Sequence, residues 1–281
     1  MLNYYIVDAF TDRPFGGNTA GVVLLGEEAF PAEELMQSVA AELRYSETAF
    51  VRRLSEGDYH LRYFTPRGEV ELCGHATVAT FALLHRLGMA HGTCHCRTLA
   101  GDLEVVADDE VLMQMATPRI VRTLTAEEGG DAYRAVGLEG YRPELPVVIA
   151  YAGLPDIMLP VPSDRLDALH PDMEAVAALT NRLGAISIHA YALCGHDGIT
   201  ARVRDFTPAC GVPEESATGT ANAALAHALR EFGSIAPDAT CHFLQGEAMG
   251  RPSVVMAQLS ANGEICIGGH AALVARGTLM V

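Results

Sequence analysis

The sequence predicts an α+β fold made of two similar halves, and three observations carry that prediction. Short strand-like runs alternate along the whole chain with only a few helical stretches. The run Arg62-Tyr63-Phe64-Thr65-Pro66 returns as Arg204-Asp205-Phe206-Thr207-Pro208, about 140 residues later and about half the chain away. The 281 residues are 49% hydrophobic and 19% charged, which suits two small domains or one large one and excludes a disordered or collagen-like chain.

In chain order, the first half offers strands at 2–7 and 19–25, a helix at 32–43, and strands at 46–51 and 59–64. A helix at 75–87 follows, and Gly88 supplies a left-handed cap for its end. Strands at 93–98, 103–107 and 111–116 complete this half. The second half begins near Pro118, with helices at 126–136, 173–183 and 217–232. Its strands fall at 147–151, 157–161, 186–193, 200–206, 240–244, 253–259 and 264–268. The domains expected from this pattern are 1–117 and 118–270.

Both copies of the repeat continue alike. Each is followed by glycine and acidic residues, then by Ala76-Thr77 or Ala217-Thr218, then by an Ala/Leu-rich helix. Symmetry would set the two helix starts opposite each other across an interdomain cleft, where small-ligand sites usually lie.

Lys+Arg 19 against Asp+Glu 35 gives a net charge of −16, which argues against a nucleic-acid or anionic-membrane partner, since both need a basic face. The first eight residues lack a basic leader, and the longest apolar stretch, 146–162, is interrupted by Gly153, Pro155 and Asp156, so neither export nor a membrane span is expected. Seven cysteines without a compact framework then read as free thiols in a reducing cytoplasm.

Chemistry concentrates at the two helix starts. Unpaired N–H groups and the helix dipole favour an anion there, so Leu72-Cys73-Gly74-His75-Ala76-Thr77 and Glu215-Ser216-Ala217-Thr218-Gly219-Thr220 suit a carboxylate. Ser216 as a simple N-cap and Gly74 as a tight turn are the structural alternatives. His75 reads as a general acid/base, a partner for an acid group, or a structural residue. Strand alternation points Glu47 to the same side as Ala49 and Val51, where desolvation makes a carboxylate harder to ionise and suits it to proton transfer; the alternative is an edge strand with Glu47 in water. Its counterpart in the second half is near Ser187, which cannot act as a base. Glu214 and Glu215 either complement the helix dipole or orient a ligand. Cys73, at a helix start, is a candidate thiol base; its match in the second loop is taken as Ser216, with Cys210 upstream, so a two-thiol racemase lacks its partner. Cys94-His95-Cys96 has no second pair at zinc-site spacing, and no nucleotide-binding or hydrolase motif is present, so no metal and no cofactor is expected.

Seven segments together resemble the PhzF-like family, named for phenazine biosynthesis, which shares the diaminopimelate epimerase fold. They are Val7-Asp8-Ala9-Phe10, Phe15-Gly16-Gly17-Asn18, Ser46-Glu47-Thr48-Ala49-Phe50-Val51, 72–77, 204–208, 214–220, and Gln245-Gly246 with Gly250-Arg251-Pro252-Ser253. The resemblance implies two pseudo-symmetric domains, each a β-barrel-like sheet around a central helix, with a last strand at about 271–281 returning to the first domain. It also implies a homodimer and cofactor-independent isomerisation of a small, possibly cyclic or aromatic, carboxylic acid. By the same correspondence Glu47 is the general acid/base, with His75 and Glu215 orienting the acid and shuttling protons. Gly74, Ser216, Gly219 and Thr220 fall on substrate-binding positions. Three residues depart from the family pattern: Glu215 stands for aspartate, Thr220 for serine and Ser216 for proline. A Cys73-dependent racemase and a non-catalytic carboxylate-binding protein are the competing readings.

Overall fold

The computed structural model describes residues 1–281, which divide into two compact units, Met1–Gln114 with Gly268–Val281, and Met115–Ile267. Each unit is a curved sheet wrapped around one helix.

In the first unit the outermost strand is the last one in sequence. Ala271–Leu279 runs antiparallel to Leu2–Ala9, which pairs antiparallel with Asn18–Gly26. Glu47–Ser55 joins in parallel, Asp58–Phe64 antiparallel, Gly92–Thr98 in parallel, then Gly101–Ala107 and Val111–Gln114 antiparallel. The parallel joins need crossovers, and two helices supply them: α1 (Glu33–Leu43) and α2 (Gly74–Arg86). α2 lies inside the sheet, packed on the strands at 2–9, 271–279, 18–26, 47–55, 101–107 and 111–114. Small and β-branched residues make this possible: Ala76, Thr77, Val78, Ala79 and Thr80 are all buried. At its end Gly88 (φ +70°) donates to His85 O and Met89 to Leu84 O, the paired bonds of a Schellman turn. α1 covers the outside, setting Met36, Val39 and Ala40 against Val23, Leu25, Phe50 and Phe64.

The second unit repeats the pairing sequence. Arg119–Thr123, Val148–Tyr151 and Pro155–Pro160 are antiparallel neighbours; Ile188–Leu193 adds in parallel, Ala201–Thr207 antiparallel, Thr240–Gln245 in parallel and Ser253–Leu259 antiparallel. Helices α3 (Ala126–Ala135) and α4 (Met173–Leu183) pack together over a cluster that includes Leu159, Val176, Ile188 and Phe206. The central helix is α5 (Gly219–Glu231), buried from Ala221 to Leu229 and closed by the same turn, Gly233 to Arg230 O and Ser234 to Leu229 O. This is the α+β, pseudo-symmetric architecture that the sequence predicts.

Two local expectations fail. α5 begins at Gly219 rather than at 217, and its N-cap is Thr218, so Ser216 is not a cap. The chain stays extended because Val212–Glu215 is a further strand paired with Ala201–Thr207, and Thr218 keeps φ −129°, ψ 102°. Short strands at Glu69–Val70, Arg119–Thr123 and Val212–Glu215 are additional to those the sequence predicts; each is short, and none holds a fully buried residue. No helix is long and apolar enough to cross a membrane, and no disulfide joins any of the seven cysteines.

Candidate active site

In the first unit, Glu47 opens its strand and pairs in register with Ala20. The first turn of α2 delivers Cys73 as N-cap and His75 one residue inside the helix. The result is a cluster. Glu47 Oε2 lies 3.2 Å from His75 Nε2, with side chains 20% and 12% exposed respectively. Cys73 Sγ lies 3.4 Å from His75 Nδ1. The Ser46 hydroxyl is 3.3 Å from Nε2 and the Asn18 amide nitrogen 3.5 Å from Nδ1. Burial pushes His75 below the usual histidine range, and the neighbouring Glu47 carboxylate partly offsets that. A neutral ring that accepts at Nδ1 from the thiol and donates Nε2–H to Glu47 satisfies these contacts. The fold itself does not demand glycine at position 74. A Cβ there would meet only Met113 Cε, at 3.5 Å, an ordinary contact.

The second unit organises its helix start differently. Gln245 accepts from Thr218 N–H (3.1 Å) and from Asn222 Nδ2 (2.8 Å), and donates to Glu215 O (2.9 Å) and Thr218 Oγ1 (3.0 Å). These four bonds exhaust its amide. Gly246 (φ +78°) lets the chain pass: a Cβ there would sit 2.7 Å from Ser216 O and 2.3 Å from Arg251 O. Thr218 donates to Asp205 Oδ2 (2.7 Å), and His189 lies between Asp205 Oδ1 (3.2 Å) and Asn222 Oδ1 (3.3 Å). His189, Asp205, Asn222 and Gln245 are wholly buried. Glu215 ends its strand half-buried, Ser216 is buried, and Gly219 and Thr220 form the first turn of α5.

The structure decides some alternatives left open above. Glu214 forms a fork with Arg204 (2.9 and 2.8 Å), so it is an anchoring residue. The matched N-caps are Cys73 and Thr218, which sets His75 opposite Thr220 in the repeat and Gly74 opposite Gly219. Pairing Cys73 with Ser216 is therefore corrected: the equivalent of the thiol is a threonine hydroxyl. Strand alternation buries Cys94 and Cys96 and turns His95 outward, and burial pushes both thiols up, that of Cys96 to about 12. Sequence reasoning did not single out Ser46 and Asn18 as neighbours of His75; only their places in the resembling segments pointed to them.

The fold is of the epimerase-like class, and comparison with known proteins carries this further. Residues 7–277 match the family model described as phenazine biosynthesis-like protein. An uncharacterized isomerase of Deinococcus radiodurans is 37% identical, over 97% of this chain and 93% of its own length. A trans-2,3-dihydro-3-hydroxyanthranilate isomerase of Pseudomonas fluorescens is 32% identical over the full length of both chains. The crystal structure of a Bacillus anthracis phenazine biosynthesis protein of the PhzF family superposes with a TM-score of 0.87 at 25% identity, covering 100% of this chain and 99% of that one. The fold extends to a hydroxyproline epimerase from Agrobacterium vitis, with a TM-score of 0.64 at 15% identity over 98% and 91% of the two chains. The chain belongs to the PhzF family and is an isomerase.

Proposed function

We propose that this isomerase works without a cofactor and that Glu47 shifts a proton along a small conjugated carboxylic acid. The 3.2 Å pairing of a largely enclosed Glu47 with His75 at the start of α2 carries the reading. The Glu47 carboxylate takes a proton from carbon, and the electron pair of that C–H bond moves into the conjugated system. The new carboxyl O–H then returns the proton to a carbon further along, so no electrons enter or leave. The Gly74 N–H, at the helix end, offsets the transient negative charge. His75, neutral near pH 7, holds the carboxylate in orientation. Glu215 takes the role of second proton carrier, and Ser216, Gly219 and Thr220 that of substrate binding, on the family correspondence. The name of the Pseudomonas fluorescens relative makes trans-2,3-dihydro-3-hydroxyanthranilate the first substrate to try.

The test is solvent deuterium incorporation during turnover. Glu47→Gln is expected to lose about 10²–10⁴-fold in rate; exchange at the wild-type rate overturns the reading. Burial lowers the His75 pKa, so the ring stays neutral to lower pH than an ordinary histidine. The acid limb of kcat/KM is therefore expected below about pH 6.5, and a pH–rate profile checks it. The Cys73–His75 contact favours one competing reading, a thiol base. Cys73→Ser separates the two, since only the thiol mechanism loses exchange.

A further inference from the structure

Three chemically different donors meet in the first unit. Besides the 3.4 Å contact to Nδ1, Cys73 Sγ lies 3.8 Å from His75 Nε2, which lies 3.2 Å from Glu47 Oε2. One donor atom from each of the three residues falls within 4.8 Å of the others. A tetrahedral ion with bonds of about 2.0–2.3 Å needs ligand–ligand separations of about 3.3–3.8 Å. The side chains therefore need only small shifts to enclose one. We propose that Glu47, Cys73 and His75 form a binding site for a borderline divalent cation of the zinc type, and that occupation of this site switches proton transfer off.

Donor chemistry selects the ion. A thiolate and an imidazole suit zinc or cobalt and discriminate against magnesium and calcium, which take oxygen ligands. Ligation takes imidazole in its neutral form and cysteine as the thiolate. Binding then releases one proton, from Cys73, to solvent. Three protein donors leave a fourth position for water or an anion. The net charge of −16 favours any cation. No other cysteine lies with two further histidine or carboxylate donors at this spacing. The thiols of Cys94, Cys96, Cys210 and Cys241 are pushed up by burial. Cys194 lies 3.4 Å from His196 Nε2, but on an exposed loop.

Inhibition follows because a bound cation makes the Glu47 carboxylate a much weaker base and occupies the space in front of it; this half of the inference rests on the glutamate mechanism proposed above. The binding half does not. Sequence spacing alone hides the site, because Cys73 and His75 are neighbours and the third ligand lies in a strand well upstream.

Chelator-treated full-length protein titrated anaerobically with Co²⁺ tests the site. One ion per chain is expected, with thiolate-to-cobalt charge transfer in the near ultraviolet and displacement by Zn²⁺. Cys73→Ser is expected to abolish the charge-transfer band, and Glu47→Gln to weaken binding more than about tenfold, with near-UV circular dichroism confirming that both variants fold. Cys194→Ser is expected to leave both unchanged. No binding, or a charge-transfer band that survives Cys73→Ser, overturns the site. The second readout is solvent exchange in the presence of Zn²⁺, where reversible loss restored by chelator is expected. Binding with full activity retained overturns the switch. If cobalt binds through Cys73 while Glu47→Gln exchanges at the wild-type rate, the metal site stands and the glutamate mechanism falls.

Discussion

The starts of α2 and α5 share a frame and differ in where they spend their polar groups. In both units the repeated arginine forks onto a carboxylate, Arg62 on Glu69 and Arg204 on Glu214, and lies over a buried phenylalanine, Phe64 or Phe206. In both, the following threonine hydroxyl closes the turn, Thr65 onto Gly68 O and Thr207 onto Val212 O. In both, a side chain three residues into the helix bonds back to the N-cap carbonyl, Thr77 to Cys73 and Asn222 to Thr218. Beneath this frame the residues diverge. The cross-strand pair Ala49–Tyr63 of the first unit is His189–Asp205 in the second. Tyr63 gives Thr77 one neutral hydrogen bond, whereas Asp205 anchors a network that reaches Thr218, Asn222 and Gln245. The first unit gathers Glu47, Cys73 and His75 at the start of its helix; the second uses polar groups to fix backbone. The two units thus share a scaffold, and the Glu47 carboxylate of the first has Ser187 at the matching position of the second.

The largest test of this contrast compares Asp205→Ala with Tyr63→Phe by denaturant unfolding. Removing Asp205 strands the buried His189 and Thr218 hydroxyl and is expected to cost about 3–5 kcal/mol. Tyr63→Phe removes one bond, and Thr77 keeps its bond to Cys73 O, so about 0.5–1.5 kcal/mol is expected. Equal costs would break the comparison.

Next comes the position equivalent to Ala20, which in the second unit is Asp156. Burial first, then the Asp205 carboxylate, push its carboxyl well above the usual carboxylate range. Ser187 donates to one oxygen at 2.8 Å, and the other oxygen has no protein partner. A raised folded pKa means that the native state holds the proton longer than the unfolded chain. Its contribution is complete below about pH 4 and is lost as pH rises toward neutrality, an effect on the order of 3–4 kcal/mol. Asp156→Asn is expected to flatten that slope, so the variant gains on the wild type between those limits. Stability curves at a series of pH values show whether it does. The smallest difference sharpens the shared frame: Glu69→Gln and Glu214→Gln are expected to destabilise by amounts within about 1 kcal/mol of each other.

Much of this was legible locally. Period-two runs marked the long strands, Gly88 marked the end of α2, and Glu47 stood out as a carboxylate among apolar strand neighbours. The start of α5 was not legible. Ala217-Thr218 reads as helix, but Asp205 and Gln245, 13 and 27 residues from Thr218, hold it extended. His189 and Asp205 would be read as a solvent face, because nothing in a strand's own pattern tells a polar residue that will be fully bonded inside from one that stays in water.

The sequence by itself determined the repeated frame, since the Arg-x-Phe-Thr-Pro turn and the glycine-capped helices are set by bonds between residues close along the chain. Only the tertiary structure decided the partners of equivalent positions: Cys73 and Glu47 beside His75 in one unit, Asp205 and Gln245 around Thr218 in the other. The physical reason is that hydrogen bonds made inside a curved sheet join residues remote in sequence, and their strength depends on burial that only the assembled fold supplies.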